Sequence, residues 1–180
     1  METLYQVLVL FALGSFFGWV FERLLDLVQS KKKEVDRFFA GPYATPYGIA
    51  AIPLFYIFQL GLPAIQYIPI ATAICILTEL STGWIAIEYF KIKSWDYSDH
   101  FLNFRGIISL QVSVIWAIMS TFTYYFIIPS LQKMLSGTLS NLALLFLVAF
   151  YIMVFLDLRV AITQKYRDKI LPKIKFLIKR

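Results

Sequence analysis

Residues 38–78 read FFAGPYATPYGIAAIPLFYIFQLGLPAIQYIPIATAICILT, 41 residues without a charged side chain. A membrane-spanning helix needs about 20 apolar residues at about 1.5 Å rise each. One helix cannot absorb this run, and Gly61-Leu62-Pro63, with Pro69 soon after, marks where the chain breaks. Two helices follow, roughly 47–66 and 68–90, joined by a short uncharged turn. Three further charge-free runs flank this one: Thr3 to Phe21 (19 residues), Gly106 to Gln132 (27) and Met134 to Leu156 (23). Each has spanning length. They place helices at about 4–28, at about 104–128 with a stop at Pro129, and at about 139–161 after a polar link containing Gly137. The first run begins Met1-Glu2-Thr3, with no basic n-region and no small-residue cleavage site, so it reads as a retained helix rather than a signal peptide.

The composition agrees with this reading. Of 180 residues, 59% are hydrophobic, 18% aromatic and 16% charged, and the mean hydropathy is +0.70. That excludes a disordered chain, a disulfide scaffold and a separate soluble catalytic domain, because no polar stretch is long enough to fold alone. Cys75 is the only cysteine and His100 the only histidine, so metal chemistry built on these residues is poorly supplied, and neither a metal nor a cofactor is expected. The expectation is an all-α, polytopic membrane bundle of about five helices. It forms one domain over 1–161, followed by a basic amphipathic tail over 162–180.

Basic residues set the orientation, since Lys and Arg are retained on the cytoplasmic side. The first loop carries Lys31, Lys32, Lys33 and Arg37. The third carries Lys91, Lys93 and Arg105. The tail adds Lys165, Arg167, Lys169, Lys173, Lys175, Lys179 and Arg180. These 14 face one side and Lys133 the other, which puts the N-terminus outside and the C-terminus in the cytoplasm. The formal net charge of +6 is therefore mainly topology. In the tail, Ile170, Ile174, Leu177 and Ile178 at helical spacing suit an interfacial helix on anionic lipid, and nucleic-acid binding explains the same charge poorly.

An ionisable side chain inside a span costs on the order of 3 kcal/mol, so each needs a partner, a cavity or an interface. Counted from the outer helix ends, Glu22, Arg23, Asp26, Glu88, Asp157 and Arg159 fall in the cytoplasmic half or at its boundary, and Glu79 alone falls near the midplane. On a helical wheel, Thr72, Cys75, Glu79, Thr82, Gly83 and Ala86 share one face, with Ile74, Leu77, Trp84 and Ile85 opposite. Glu88 lies about 180° from Glu79, so a paired-carboxylate site is not expected from these two. Helix 1 has a corresponding stripe, Ser15, Gly18, Glu22 and Asp26, within a GxxxG pattern at Gly14 and Gly18. Helix 4 offers Ser109, Ser113, Trp116, Ser120 and Thr123. These three faces read either as the lining of a polar cavity or as hydrogen-bonded packing seams.

The loops carry their own motifs. Gly41-Pro42-Tyr43-Ala44-Thr45-Pro46-Tyr47-Gly48 holds two prolines and two glycines in an uncharged stretch, backbone that cannot face lipid unsatisfied. It reads as a rigid cytoplasmic turn or a segment dipping into a protein-lined cavity. Trp95-Asp96-Tyr97-Ser98-Asp99-His100 reads as interfacial aromatics with Asp96 or Asp99 capping a short helix and His100 at the surface. Arg105 is a candidate partner for Glu88 or Asp96, or an anion-binding residue.

Taken together, GPYATPYG (41–48), ELSTGWIAIEYF (79–90), WDYSD (95–99) and NFRGIISLQVSVIW (103–116) resemble the bacterial CmpB-like family of ABC-transporter type IV permeases. The resemblance runs from helix 1 through helix 4. The positions matching the family pattern are Glu22, Arg37, Gly41, Pro42, Tyr47, Gly48, Glu79, Gly83, Glu88, Trp95, Asp96, Tyr97, Ser98, Asn103 and Gly106. A glycine commonly follows the helix 4 tryptophan in the family, whereas Ala117 follows Trp116 here, a departure that bears on packing. The resemblance implies a multi-pass protein of the bacterial cytoplasmic membrane that takes part in transport. No GxxxxGK[ST] motif occurs, so a separate subunit would hydrolyse ATP, and so few spans imply a homo-oligomer or a hetero-complex.

The expected polar site comprises Glu22, Glu79, Thr82, Gly83, Glu88, Ser109 and Ser113. Arg37, Gly41, Pro42, Tyr47, Gly48, Trp95, Asp96, Tyr97, Ser98, Asn103 and Arg105 form the loop motifs that would meet a partner. Two alternatives stay open. One is a membrane-embedded enzyme acting on a lipid or lipid-linked substrate, with Glu88 and Asp96 as acid and base, Arg105 on phosphate and Asn103 as hydrogen-bond donor. The other is a small scaffold or regulator.

Overall fold

The structure is a computed structural model that describes residues 2–28, 41–135 and 141–178. Arg37 and the lysines of the first loop lie outside the described residues, as do the side chains of the basic tail. Five helices make up the described chain: α1 (Glu2–Val28), α2 (Thr45–Phe58), α3 (Ala64–Phe90), α4 (Leu110–Leu135) and α5 (Asn141–Ile178). α3 ends in a π-helical turn, Ala86–Phe90, and α4 contains another, Thr123–Ile127. Among the described residues there is no β-strand, only an isolated bridge between Phe104 and Ile108. Four segments, Leu4–Leu25, Ala64–Phe90, Leu110–Leu135 and Leu144–Thr163, are long and apolar enough to cross a membrane.

α2 is the exception, at 14 residues and about 21 Å. The chain turns over 59–63, at the Gly61-Leu62-Pro63 break that the sequence marks, although the expected helix bounds, 66 and 68, fall later. Gly61 adopts φ +69° there, and Pro63, with φ fixed near the extended region, occupies the N-cap of α3. Pro69 falls inside the early turns of α3 and does not end it.

α4 departs from expectation at both ends. It starts at Leu110 rather than near 104, because Arg105 and Gly106 take φ values of +55° and +67°, which no helix accommodates, and Ser109 caps the first turn by accepting from Val112 N. It also continues through Pro129 to Leu135. The π turn immediately before this proline widens the backbone where the missing N–H and the ring would otherwise break the helix, and Ser130 Oγ donates to Phe126 O at 2.7 Å. The last helix likewise runs past the expected end at 161, to Ile178. The Gln, Lys and Arg residues that follow the apolar stretch are good helix formers, and the helix continues through Pro172.

Packing follows chain order. α1 lies on α2, α2 on α3 and α3 on α4, and α5 returns to α1. One core gathers Leu10, Leu54, Phe55, Tyr67, Cys75, Trp116 and neighbours, and the other gathers Val9, Ala12, Tyr43, Leu147 and Phe150. Large apolar side chains such as Phe17, Leu77, Ile118, Leu145 and Phe155 point outward, the arrangement a bilayer covers.

The GxxxG pair sets the α1–α2 distance. A Cβ on Gly14 would stand 2.8 Å from the Ala51 Cβ, one on Gly18 2.2 Å from the Tyr47 ring, and one on Gly48 2.7 Å from the Phe11 carbonyl oxygen. Because its obstacle includes backbone, Gly48→Ala should destabilise the protein by about 1–3 kcal/mol. Denaturant unfolding in detergent micelles reads this directly, and unchanged stability would show that this contact does not set the helix spacing.

Candidate functional site

Glu79 lies roughly halfway along α3 and is 6% exposed. Its carboxylate accepts a hydrogen bond from the Trp116 indole N–H of α4, and Tyr97 of the 91–109 loop packs against the same core. The Tyr47 ring of α2 lies 5.0 Å from the Trp116 ring, seated where Gly18 leaves room on α1. Glu22 lies one turn along α1 from Gly18, on the helix face that receives the Tyr47 ring. Two carboxylates, two phenols and an indole thus converge from every element except α5. The donor to Glu79 is a neutral indole. Among the described residues, no three His, Cys, Asp or Glu side chains gather to ligate a metal.

The 91–109 loop closes this cluster from one side. It was expected to be a surface belt with a capped short helix, but it folds inward as an internally bonded cap. Trp95 Nε1 donates to Ile107 O at 2.8 Å, Tyr97 N to Gly106 O at 2.9 Å and Phe104 N to Ile108 O at 2.8 Å. Asp96 pairs with Lys93 at 2.8 Å and accepts from Ser98 N at 2.9 Å, a local turn rather than a helix cap. Asn103 Nδ2 donates to Ser98 O and His100 O, both at 3.0 Å, and its Oδ1 accepts from Gly106 N at 3.1 Å. His100 is not a free surface group, since its Nδ1 lies 3.1 Å from Ser109 Oγ. Gly106 is required twice over, by its positive φ and because a Cβ would come within 2.6 Å of Asp96 Oδ1. Gly83 on α3 forms a notch in which Ile107 and Trp95 sit.

A second junction went unforeseen. Asp157 of α5 accepts from Gly41 N at 2.9 Å and from the Tyr43 hydroxyl at 2.6 Å, while Ala44 N donates to Ser15 O at 2.9 Å, near the middle of α1. Residues 41–44 therefore enter the bundle, with Pro42 between the two anchored residues, and α2 starts inside it. The sequence marked this backbone as needing satisfaction but did not point to Asp157, because a lone acid near a helix end looks the same whether it faces water or a distant loop.

Other residues of the expected site are placed elsewhere. Glu88 is exposed on the terminal π turn, 4.0 Å from Lys91. Arg105 lies over the Trp84 ring, 4.9 Å from its centroid, and not on Glu88 or Asp96. Thr82 donates to Thr78 O and Ser113 to Ser109 O, so these hydroxyls satisfy their own helices rather than line a cavity. Ser98 is exposed in the cap. The space beside the cluster is a shallow cleft between Gly83, Ala86, Lys93 and Trp95.

A model of the family described as "Putative ABC-transporter type IV" matches residues 9–162, reaching from α1 into α5 and including every residue of the two junctions. No curated protein sequence matches the chain, and no solved structure does.

Two expectations follow from this geometry. Asp157→Leu leaves Gly41 N and the Tyr43 hydroxyl without their acceptor and should lower stability by about 1.5–3 kcal/mol, with Tyr43→Phe costing less. Unfolding of the two variants in micelles ranks them, and equal or negligible losses would remove the junction from the architecture. Lys93 and Ser98 hold the Asp96 carboxyl well below the usual carboxylate range. A depressed folded-state value stabilises above the unfolded value of about 3.9, and the benefit is lost as pH falls below it. The melting-temperature gap between wild type and Asp96→Asn should therefore be present at neutral pH and shrink below about pH 4.

Proposed function

The chain belongs to this ABC-transporter type IV family, a multi-pass membrane protein by its four spans, and from that premise we propose that it is a permease-like component of a transport system. Its polar intramembrane site is the cluster of Glu22, Tyr47, Glu79, Tyr97 and Trp116. The observation that carries this reading is Glu79 itself. A carboxylate near the middle of an apolar span is expensive, and here α4 spends the Trp116 indole on holding it. Packing alone would be served as well by an apolar residue. The basic loops and tail support an orientation with the N-terminus outside and the C-terminus in the cytoplasm of a bacterial cell, which requires α2 to cross as a fifth span beside the four long ones, the tail resting on anionic lipid. ATP hydrolysis falls to a separate subunit, met by the exposed side of the 91–106 segment within a homo-oligomeric or hetero-oligomeric assembly, since residues 41–44 are taken up inside the bundle. The lipid-enzyme reading is weaker, since Glu88, Asp96 and Arg105 each have a different neighbour.

The test is purification of the tagged protein from native membranes in mild detergent, with mass spectrometry and an ATPase assay of the eluate. A stoichiometric nucleotide-binding subunit is expected. Glu79→Gln should insert and keep that subunit yet lower its turnover by at least about tenfold. A homo-oligomer without ATPase, or a fully active Glu79→Leu protein, would overturn the proposal.

A further inference from the structure

One edge of the cap is too apolar for a loop that faces water. Phe101 and Leu102 are 65% and 68% exposed and Phe104 is exposed beside them, while Leu102 and Arg105 take φ values of +49° and +55°, in the left-handed region that side chains rarely adopt. Phe101 O accepts from Leu110 N at 3.4 Å, which fixes this edge at the start of the Leu110–Leu135 span. The cation on the edge is Arg105. Its guanidinium lies 4.9 Å from the centroid of the Trp84 ring on α3 and 6.0 Å from that of Phe104. Contact with a ring engages the flat face of a guanidinium and leaves the N–H donors around its rim free to bond. Among the described residues, that rim meets no carboxylate and no carbonyl. The neighbouring lysines each have an acid of their own, Lys91 facing Glu88 at 4.0 Å and Lys93 pairing with Asp96 at 2.8 Å.

Depth decides what can meet it. The span Ala64–Phe90 has 27 residues. That is about 40 Å against a hydrocarbon core of about 30 Å, so a centred α3 reaches about 5 Å into each headgroup layer. Trp84 stands about 9 Å inward of Phe90 at the rise of a helix. Arg105 therefore sits at the boundary of acyl chains and headgroups, where an unpaired charge is costly and phosphate is the abundant anion. Farther into the span, Leu77 and Ile70 follow Trp84 at intervals of two helical turns and are exposed like it, a strip along which an acyl chain can lie.

We propose that Arg105 and Trp84 form a binding site for an anionic phospholipid of the leaflet on the cap side, its phosphate on the guanidinium rim and one acyl chain along Trp84, Leu77 and Ile70. A planar guanidinium matches two phosphate oxygens at once. Because the adjacent lysines are matched by Glu88 and Asp96, the surplus positive charge is that of Arg105, which favours a headgroup of net negative charge over a zwitterion. Phe101, Leu102 and Phe104 then rest against the same lipid layer, and the exposed Ser98 and Asp99 side of the cap is left for a partner subunit. The site depends on the membrane spans alone and stands apart from the transport reading.

The experiment titrates the full-length protein, in neutral detergent, with dioleoyl phosphatidylglycerol or dioleoyl phosphatidylcholine and reads the first bound lipid by native mass spectrometry. Ammonium acetate at about 0.2 M screens the general attraction of the basic tail. Wild-type protein should bind phosphatidylglycerol about tenfold more tightly than phosphatidylcholine. Arg105→Gln should abolish that preference, and Trp84→Leu, which changes no charge, should reduce it by at least about threefold. Lys91→Gln removes one positive charge from the same loop and should keep the preference. No preference in the wild type, an intact preference in Arg105→Gln, or an equal loss in Lys91→Gln would overturn the site. Inorganic phosphate at the lipid concentration should leave the lipid bound, and displacement would assign the site to a free anion instead. If Arg105→Gln fails to accumulate, Trp84→Leu decides the matter, and a wild-type preference there overturns the proposal. Lipid binding is read without any ATPase partner, so failure here is separable from failure of the transport reading.

Discussion

A carboxylate in the apolar middle of a helix has to be met by donors from outside that helix, and the need of Glu79 is what the surrounding elements are arranged to meet. Trp116 brings α4 against α3, Tyr97 packs a loop against the same core, and the Tyr47 ring from α2 meets the Trp116 ring at a tilt over the gap left by Gly18. Removing the Trp116 indole leaves the buried carboxylate without its donor in a water-poor interior at a cost of about 1–3 kcal/mol. The site and the fold thus draw on the same contacts, which is why the motif residues cluster where helices meet.

Glycine makes that convergence possible. Gly14, Gly18 and Gly48 bring α1 and α2 into backbone contact, and Gly83 admits Trp95 and Ile107 of the cap. Without a hydrophobic driving force between helices inside lipid, close approach and shared hydrogen bonds must hold the bundle together. The aromatic residues fill what the glycines open, and Tyr67 and Tyr124 also bond to carbonyls at Leu54 and Leu62, tying down the turn between α2 and α3.

The spans were legible because a bilayer imposes a length and a polarity on each of them, and charge-free runs record both. Glu79 was legible by depth, and the outward faces at Leu77, Trp84 and Ile85 by periodicity. Helix ends were harder to read. Pro129 suggests a stop by its own chemistry, and the π turn that lets α4 pass it leaves no mark in residue types. The short α2 was hidden because a 41-residue apolar run does not say how it is divided. Within the site, a helical wheel assigns Trp116 to a face but not to a neighbour. The inward fold of Trp95 and Tyr97 depends on pairings with Ile107 and Gly106 that their own local sequence, which suits a membrane surface, does not announce.

The Asp157 junction also has a consequence for biogenesis. Its partners Gly41 and Tyr43 precede it by 116 and 114 residues, so the segment that leads into α2 leaves the ribosome long before its acceptor exists. During that interval the N-terminal hairpin has glycine contacts along α1 and the Ala44 bond to Ser15, but no anchor at Gly41. Docking of the last span is therefore the step that completes the first, and a chain truncated before α5 would present the insertase with an N-terminal hairpin whose entry segment is still unsecured.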